Sequence, residues 1–318
     1  MSKKYLGIDV GGTFVKGGVI EENGKVIETL SVETYADKDA DYVIKNIIDN
    51  LCLPLLNKVN LKISDIEGIG IGIPGIVNSK TGVVAFNGNL KWRQVEIVKK
   101  MQDALKTKVL ITNDANAAAL GESKFGASKE YKDSILITLG TGLGSGIVVD
   151  GKLFEGFEGA GAEIGHMTIV VGGKQCTCGR KGCFEAYCSA SALIRDTKDA
   201  MEKDKQSVLW KECAFSLENV TGKTAFEFKS SDKGSREVVD NYIKYLGEGL
   251  VNLAAIFRPQ VIILGGGVSK EGDNLIKPLQ QYMDENIFGS NLGPRVLIKT
   301  ASLSNSAGFV GAAALLID

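Results

Sequence analysis

The chain has 318 residues, 44% hydrophobic and 24% charged, the make-up of a globular enzyme with enough apolar material for two domains. Its 37 basic and 38 acidic side chains balance, which leaves no electrostatic footprint for nucleic acid or an anionic membrane. No run approaches the roughly 18 apolar residues of a membrane span, and the N-terminus lacks the apolar stretch of about 7–15 residues of a signal peptide, so a cytoplasmic protein is expected.

Tyr5 to Val10 reads as a strand broken by Gly11-Gly12-Thr13, after which Phe14 to Ile20 resumes the extended run. Glu22-Asn23-Gly24-Lys25 is a hairpin turn, because Asn-Gly tolerates positive φ. Asp41 to Lys58 puts Val43, Ile44, Ile47, Ile48, Leu51 and Leu55 on one helical face. Gly68 to Ile73 is a buried strand ended by Pro74-Gly75; Val109 to Thr112 is a shorter one, followed by an Ala-rich helix over Ala115 to Phe125. A strand then begins at Ser134, turns through Gly140-Thr141-Gly142-Leu143-Gly144, and resumes at Ile147 to Val149 before Asp150-Gly151. Laid without gaps, Gly7–Glu21 runs beside Leu136–Asp150, with Gly11 over Gly140 and Gly17 over Gly146. That is one β-meander used twice.

Arg236 to Arg258 is the longest periodic helix and stops before Pro259. Gln260 to Leu264 is a buried strand opening into Gly265-Gly266-Gly267. Leu275 to Asn286 is helical, Arg295 to Thr300 extended, and Ala307 to Leu316 a helix of small residues; Thr221 to Ser235 gives no clear element. Strands alternating with helices indicate the α/β class with mixed sheets. The expected lobes are 1–117 and 118–300, with 301–318 returning to the first.

The Gly140 loop is followed by Ile147-Val148-Val149-Asp150-Gly151, which favours a strand and not the helix a dinucleotide fingerprint opens; a Gly-Lys-Ser/Thr P-loop is also absent. Either glycine loop alone is compatible with a plain hairpin turn. Two at matching positions, one flanked by Asp9 and Thr13, favour bare backbone N–H groups approaching phosphate. Asp9 then helps to hold Mg²⁺ through its waters.

His166 is the sole histidine, and ten residues on comes Cys176-Thr177-Cys178-Gly179-Arg180-Lys181-Gly182-Cys183. Three thiolates and an imidazole make the closed Cys₃His set of a structural zinc, and Gly179 and Gly182 let the loop turn tightly. Cys188 falls outside this knuckle, as a buried thiol on the next helix. Glu163 and Glu185 flank it, and paired carboxylates can accept from neighbouring sugar hydroxyls; Glu185 also reads as a solvated acid at a helix start. Asp114, at the end of a strand, is open to two readings: an N-cap, or the base that takes a hydroxyl proton in phosphoryl transfer. Asn113 and Asn89 are candidate hydroxyl partners and Gly75 a close-approach turn.

Asp9-Val10-Gly11-Gly12-Thr13, Asn113-Asp114-Ala115-Asn116, Gly140-Thr141-Gly142-Leu143-Gly144, Glu163-Ile164-Gly165-His166 and the cysteine knuckle ending at Glu185 together resemble the ROK (repressor, open reading frame, kinase) family, nearest its glucokinases. The likeness extends to Ser306–Ala313. It implies a duplicated actin-like, ribonuclease-H-like fold of two lobes with ATP·Mg²⁺ between them. Asp9, Gly11, Gly12, Thr13, Lys16, Gly140, Thr141 and Gly142 would then surround the phosphates, with Gly265, Gly266 and Gly267 near the adenosine. Asp114 matches the catalytic base, and Gly75, Asn89, Asn113, Glu163, His166 and Glu185 the sugar site. His166 would serve zinc with one ring nitrogen and sugar with the other. Two departures stand out: Ala162 replaces a glycine of many members, which reads as a packing change, and no helix-turn-helix precedes the first strand. The implied activity is ATP-dependent phosphorylation of a hexose, glucose first, in a homo-oligomer. The alternatives are N-acetylmannosamine, N-acetylglucosamine, fructose or allose as the sugar, or a sugar-sensing regulator without catalysis.

Overall fold

The computed structural model describes residues 2–290 and 292–317. The chain opens with an antiparallel meander, β1 (Lys4–Val10), β2 (Phe14–Glu21) and β3 (Val26–Glu33). A long helix follows in pieces: α1 (Ala40–Asn46), a π-helical turn over Ile47–Cys52, and α2 (Leu53–Lys58). The Asp39 carboxylate caps its start by accepting from the Tyr42 amide. The widened turn comes just before Pro54, which lacks the N–H that a regular α-helical turn would use there.

After β4 (Ile69–Ile73), three short strands, β5 (Ile76–Asn78), β6 (Val83–Asn87) and β7 (Trp92–Val95), form a small antiparallel sheet. Then come α3 (Ile97–Leu105), β8 (Val109–Asn113) and α4 (Asp114–Phe125). The second meander is β9 (Ser134–Leu139), β10 (Leu143–Val149) and β11 (Lys152–Leu153). Beyond it lie α5 (Glu185–Cys188), α6 (Ala190–Lys203), two single-turn helices, α7 (Leu209–Glu212) and α8 (Thr224–Glu227), and the long α9 (Lys233–Phe257). The final elements are β12 (Val261–Gly265), α10 (Asp273–Asn286), β13 (Leu297–Thr300) and α11 (Ala307–Ala314).

The two large sheets have the orders β3-β2-β1-β4-β8 and β11-β10-β9-β12-β13. The two orders correspond strand for strand, with β3-β2-β1 and β10–β11 antiparallel and β1-β4-β8 and β12–β13 parallel, as the repeated Gly7–Glu21 and Leu136–Asp150 segments lead one to expect. The chain divides into two compact units: Met1–Leu136 with Gly146–Ala162 and Ser302–Asp318, and Ile137–Ser145 with Glu163–Ala301.

In the first unit the apolar core is gathered under the sheet by Leu6, Ile8, Ile69, Ile71 and Ile111 with Ile47, Leu51 and Leu55 of the long helix. The opposite face of the sheet is covered by α11, whose small residues have a steric cause. A Cβ on Gly7 would stand 1.8 Å from the Phe309 carbonyl oxygen, and one on Gly311 would stand 1.6 Å from that of Ala117. Backbone lies on backbone here, and α4 is held whole in this unit. The buried Glu122 carboxylate of α4 accepts from the amides of Ala127, Ser302 and Leu303, fixing the chain as it enters α11. In the second unit Phe184 is buried against α9 at Gly249, where a Cβ would come within 2.1 Å of the ring.

Candidate active site

In the first unit the functional candidates sit at the C-terminal ends of adjacent parallel strands, where open α/β sheets present their ligand sites. Asp9 near the end of β1 is level with Gly72 of β4, and Ile73 with Asn113 of β8. The ends therefore carry Asp9, Pro74-Gly75 and Asn113-Asp114 side by side. Gly75 has φ +103°, and a Cβ there would strike the Phe86 carbonyl oxygen at 2.1 Å, so only glycine fits this turn.

Of the two readings open for Asp114, the capping role belongs to its neighbour. Asn113 Oδ1 accepts from the amides of Ala115 (2.9 Å) and Asn116 (3.3 Å), and its Nδ2 donates to Gly75 O (3.1 Å). Asp114 is the first residue of α4, and its Oδ1 accepts from the Ala115 amide, at 2.9 Å. Burial pushes its carboxyl above the usual range, against the pull of that amide. A half-buried carboxylate whose proton affinity is raised in this way can take a proton from a hydroxyl.

Asp9 is pushed up from 3.8 to about 6, chiefly by burial, then by the charge of Asp114, against the pull of Lys16 opposite it on β2. A Cβ on Gly308 at the start of α11 would meet its carboxylate at 2.5 Å. Asp9 binds protons more tightly folded than unfolded, so its contribution to stability falls as pH rises from about 4 to about 6. Above that window the buried charge costs on the order of 2–3 kcal/mol. In magnesium-free buffer at pH 7.5, Asp9→Asn is therefore expected to melt about 5–10 °C above the parent, with the gap closing towards pH 4. A calorimetric gap independent of pH would contradict this.

Gly11, Gly12 and Thr13 form the tip of the β1–β2 hairpin, with Gly11 N donating to Phe14 O at 3.0 Å. Gly12 and Thr13 are exposed, and a Cβ on Gly12 would point at the Asn89 side chain, 3.8 Å away. Asn89 thus stands beside this hairpin, on the turn between β6 and β7.

In the second unit the matching hairpin tip is Gly140-Thr141-Gly142. Gly140 N donates to Gly142 O (3.0 Å), and Gly140 O accepts from Ala190 N (2.8 Å) at the start of α6. Gly266, at φ +84°, follows β12; a Cβ there would meet the Leu139 carbonyl oxygen at 2.5 Å, whereas Gly267 faces open space. Glu185 joins the hairpin to the knuckle. Its Oε2 accepts from Leu143 N (3.0 Å), and its Oε1 from Thr177 Oγ1 (3.1 Å) and Cys176 Sγ (3.6 Å). A carboxylate has about four acceptor positions, so one remains for a further donor. The solvated-acid reading of Glu185 does not describe these contacts.

His166, Cys176, Cys178 and Cys183 converge, their ligand atoms all within 4.8 Å of one another. Cys176 Sγ stands 3.7 Å from His166 Nδ1, and Cys178 Sγ 3.7 Å from Cys183 Sγ. Tetrahedral zinc with bonds of about 2.3 Å to sulfur requires sulfurs about 3.8 Å apart, so the donor set fits that ion in kind and spacing. A disulfide would need about 2.05 Å. Gly179 and Gly182 take φ +90° and +83°, and a Cβ on Gly182 would stand 1.7 Å from Val170 O. The Arg180 guanidinium donates to His166 O (3.2 Å) and Thr168 Oγ1 (2.9 Å), tying the histidine segment to the knuckle. The Arg180 amide holds the Cys178 thiol below its usual range, while burial pushes Cys183 up to about 12. Cys188 is buried on α5, apart from the cluster.

The ROK family model matches residues 5–318. The chain belongs to the ROK family. Among similar curated proteins, the glucokinase of Halalkalibacterium halodurans is 36% identical over 316 residues, covering 96% of this chain and 93% of that protein. The glucokinase of Thermotoga maritima is 32% identical over 318 residues, covering 98% and 97%. Among solved structures, a ROK glucokinase from Streptomyces griseus in complex with glucose and AMPPNP superposes with a TM-score of 0.81 at 34% identity, over 98% of both chains. The duplicated architecture of this ROK chain is that of the family's sugar kinases.

Two residues that the sequence alone did not single out, Glu155 and Thr34, bear on these groups, as does Ala162. Glu155 accepts from Thr112 Oγ1 and Ser79 Oγ, both at 2.6 Å, just ahead of Asn113. Thr34 holds the β1–β2 hairpin. Ala162, preceding Glu163, has φ +63°, a conformation that costs a side chain about 1–2 kcal/mol. The replacement of glycine there is thus a matter of backbone strain as well as packing. Only the Ala162 departure had a signal in the sequence.

Proposed function

We propose that this chain transfers the γ-phosphoryl group of ATP to the 6-hydroxyl of glucose, giving glucose 6-phosphate and ADP. The observation that carries the reading is Asp114: a half-buried carboxylate at the end of β8, relieved of helix capping by Asn113, in a chain related to glucokinases along its whole length. Asp114 accepts the hydroxyl proton as the sugar oxygen attacks phosphorus and the bond to the ADP oxygen breaks. The hairpin amides at Gly11–Thr13 and Gly140–Gly142 serve the phosphates, with Lys16 as a positive charge nearby and Gly265–Gly267 at the adenosine. Asp9 would help to hold Mg²⁺, and that ion would supply charge neutralisation to the phosphates.

Glu163, His166, Glu185, Asn113, Asn89 and the Gly75 turn receive the sugar hydroxyls. His166, Cys176, Cys178 and Cys183 would hold a structural zinc, and four such ligands would leave no coordination position for hydrolysis. His166 Nδ1, which faces Cys176 Sγ, would serve the metal, leaving Nε2 to carry the proton and donate to a sugar oxygen.

The test is ADP release measured over a panel of glucose, mannose, fructose, allose and the N-acetylated hexosamines. A kcat/KM for glucose at least about tenfold above every other sugar is expected; a larger value for any other sugar refutes the substrate assignment. With glucose saturating, kcat is expected to fall as pH drops below the raised value of Asp114, because the protonated carboxyl cannot accept. Turnover that stays level down to pH 4.5 would argue against a carboxylate base.

A further inference from the structure

We infer that Thr34 is a positioning residue for phosphate binding: its side-chain hydroxyl locks the Gly11–Gly12 peptide so that the Gly12 N–H faces outward. The inference rests on reading the β1–β2 hairpin as a phosphate site.

Thr34 directly follows β3, is fully buried and contacts the hairpin tip twice. Its Oγ1 donates to Gly11 O at 2.8 Å, and its amide donates to Thr13 O at 2.9 Å. A trans peptide is planar, with C=O and N–H pointing in opposite directions. Holding the Gly11 carbonyl towards Thr34 therefore turns the Gly12 N–H the other way, at an exposed tip. Gly12 and Thr13 are exposed, and the atoms nearest to a Cβ built on Gly12 are those of the Asn89 side chain, 3.8 Å away, so the tip leaves room for a ligand.

The lock is needed because of the glycines. Gly11 and Gly12 are adjacent, and glycine occupies both signs of φ at little cost, so the peptide between them can rotate by half a turn. The rotated form would present a carbonyl oxygen to a phosphate and repel it. Residues with a Cβ would resist the rotation but would fail elsewhere: a Cβ on Gly11 would stand 2.8 Å from Phe14 O. The closeness that excludes side chains at Gly11 leaves orientation to a group outside the hairpin, and the Thr34 hydroxyl is that group. Its amide bond to Thr13 O anchors the far side, so the tip cannot swing away from β3.

Thr34→Val keeps the branched shape and the amide bond, and removes only the hydroxyl. Calorimetric titration with Mg²⁺·ATP in the absence of sugar is expected to show affinity weakened about tenfold, the scale of one hydrogen bond to a charged group. In steady state the KM for ATP should rise in step while the KM for glucose stays within about twofold. Thr34→Ser restores the hydroxyl and should return nucleotide affinity to within about twofold of the parent. Unchanged ATP affinity in Thr34→Val overturns the inference. So does a parallel loss for both substrates that Thr34→Ser fails to rescue, which is the mark of a purely structural role. Because titration with nucleotide alone needs no turnover, its outcome is separate from that of the sugar panel and of Asp114 substitution, which decide the kinase reading.

Discussion

Asp114→Asn is expected to lower kcat for glucose by about three orders of magnitude while leaving both KM values within about threefold. The amide is nearly the same size and can still accept from the Ala115 amide at the start of α4, so local structure should persist. What it loses is the capacity to accept a proton from the attacking hydroxyl. General-base assistance is worth about 10²–10⁴ in rate, and the residual turnover reports positioning and electrostatic stabilisation. The charge of Asp114 also helps to raise Asp9, so its removal should ease the folded state at neutral pH. A variant that is at least as thermostable as the parent yet almost inactive would separate catalysis from folding. Turnover within tenfold of the parent would remove Asp114 from the role of base.

Cys183→Ser is expected to abolish metal retention and to lower the melting temperature by about 10 °C. Emission spectrometry should find about one zinc per parent chain and almost none in the variant. Binding energies of structural zinc reach about 10–16 kcal/mol in isolated peptides, but this knuckle belongs to a larger unit with an apolar core of its own, so only part of that energy is expected to appear in its stability. A loss of about 4 kcal/mol corresponds to the stated shift for a unit of this size. Glucose affinity should fall more than nucleotide affinity, because His166 loses the partner that sets its tautomer, whereas the Gly140 hairpin keeps its bond to Ala190. Parent protein that purifies without zinc and melts at the same temperature after chelation would refute the metal assignment.

The parts of the fold legible in the sequence are those where backbone chemistry forces a residue type. The repeated glycines of the two meanders mark hairpin tips and close approaches, and a one-residue slip would turn each strand inside out, so the pattern is readable at a distance of more than a hundred residues. The cysteine knuckle is legible because three sulfurs and an imidazole at such spacing have few other uses. The sheet of β5, β6 and β7 was not, because strands of three to five residues carry too few alternations to establish a period. The roles of Asn113 and Asp114 at the head of α4 could not be separated either, since both residue types cap helices and only geometry shows which amide bonds which side chain. Thr34 and Glu155 act through hydrogen bonds across 23 and 43 residues, to Gly11 and Thr112, and local pattern holds no trace of such pairing.

The backbone contact between α11 and the first sheet also bears on how the chain is made. Gly7 and Gly70 leave bare backbone against which the carbonyls of Phe309 and Ala312 lie, each so near that a Cβ would stand 1.8 Å from the oxygen. On a ribosome, those carbonyls emerge about 300 residues after β1, a delay of roughly 15–60 s at bacterial rates of synthesis. During that interval the N-terminal meander has its amphipathic helix but lacks its opposite cover. The second unit, drawn mostly from 163–301, is complete in sequence before the first can close. The unit that is translated first is therefore the one whose last packing partner is translated last.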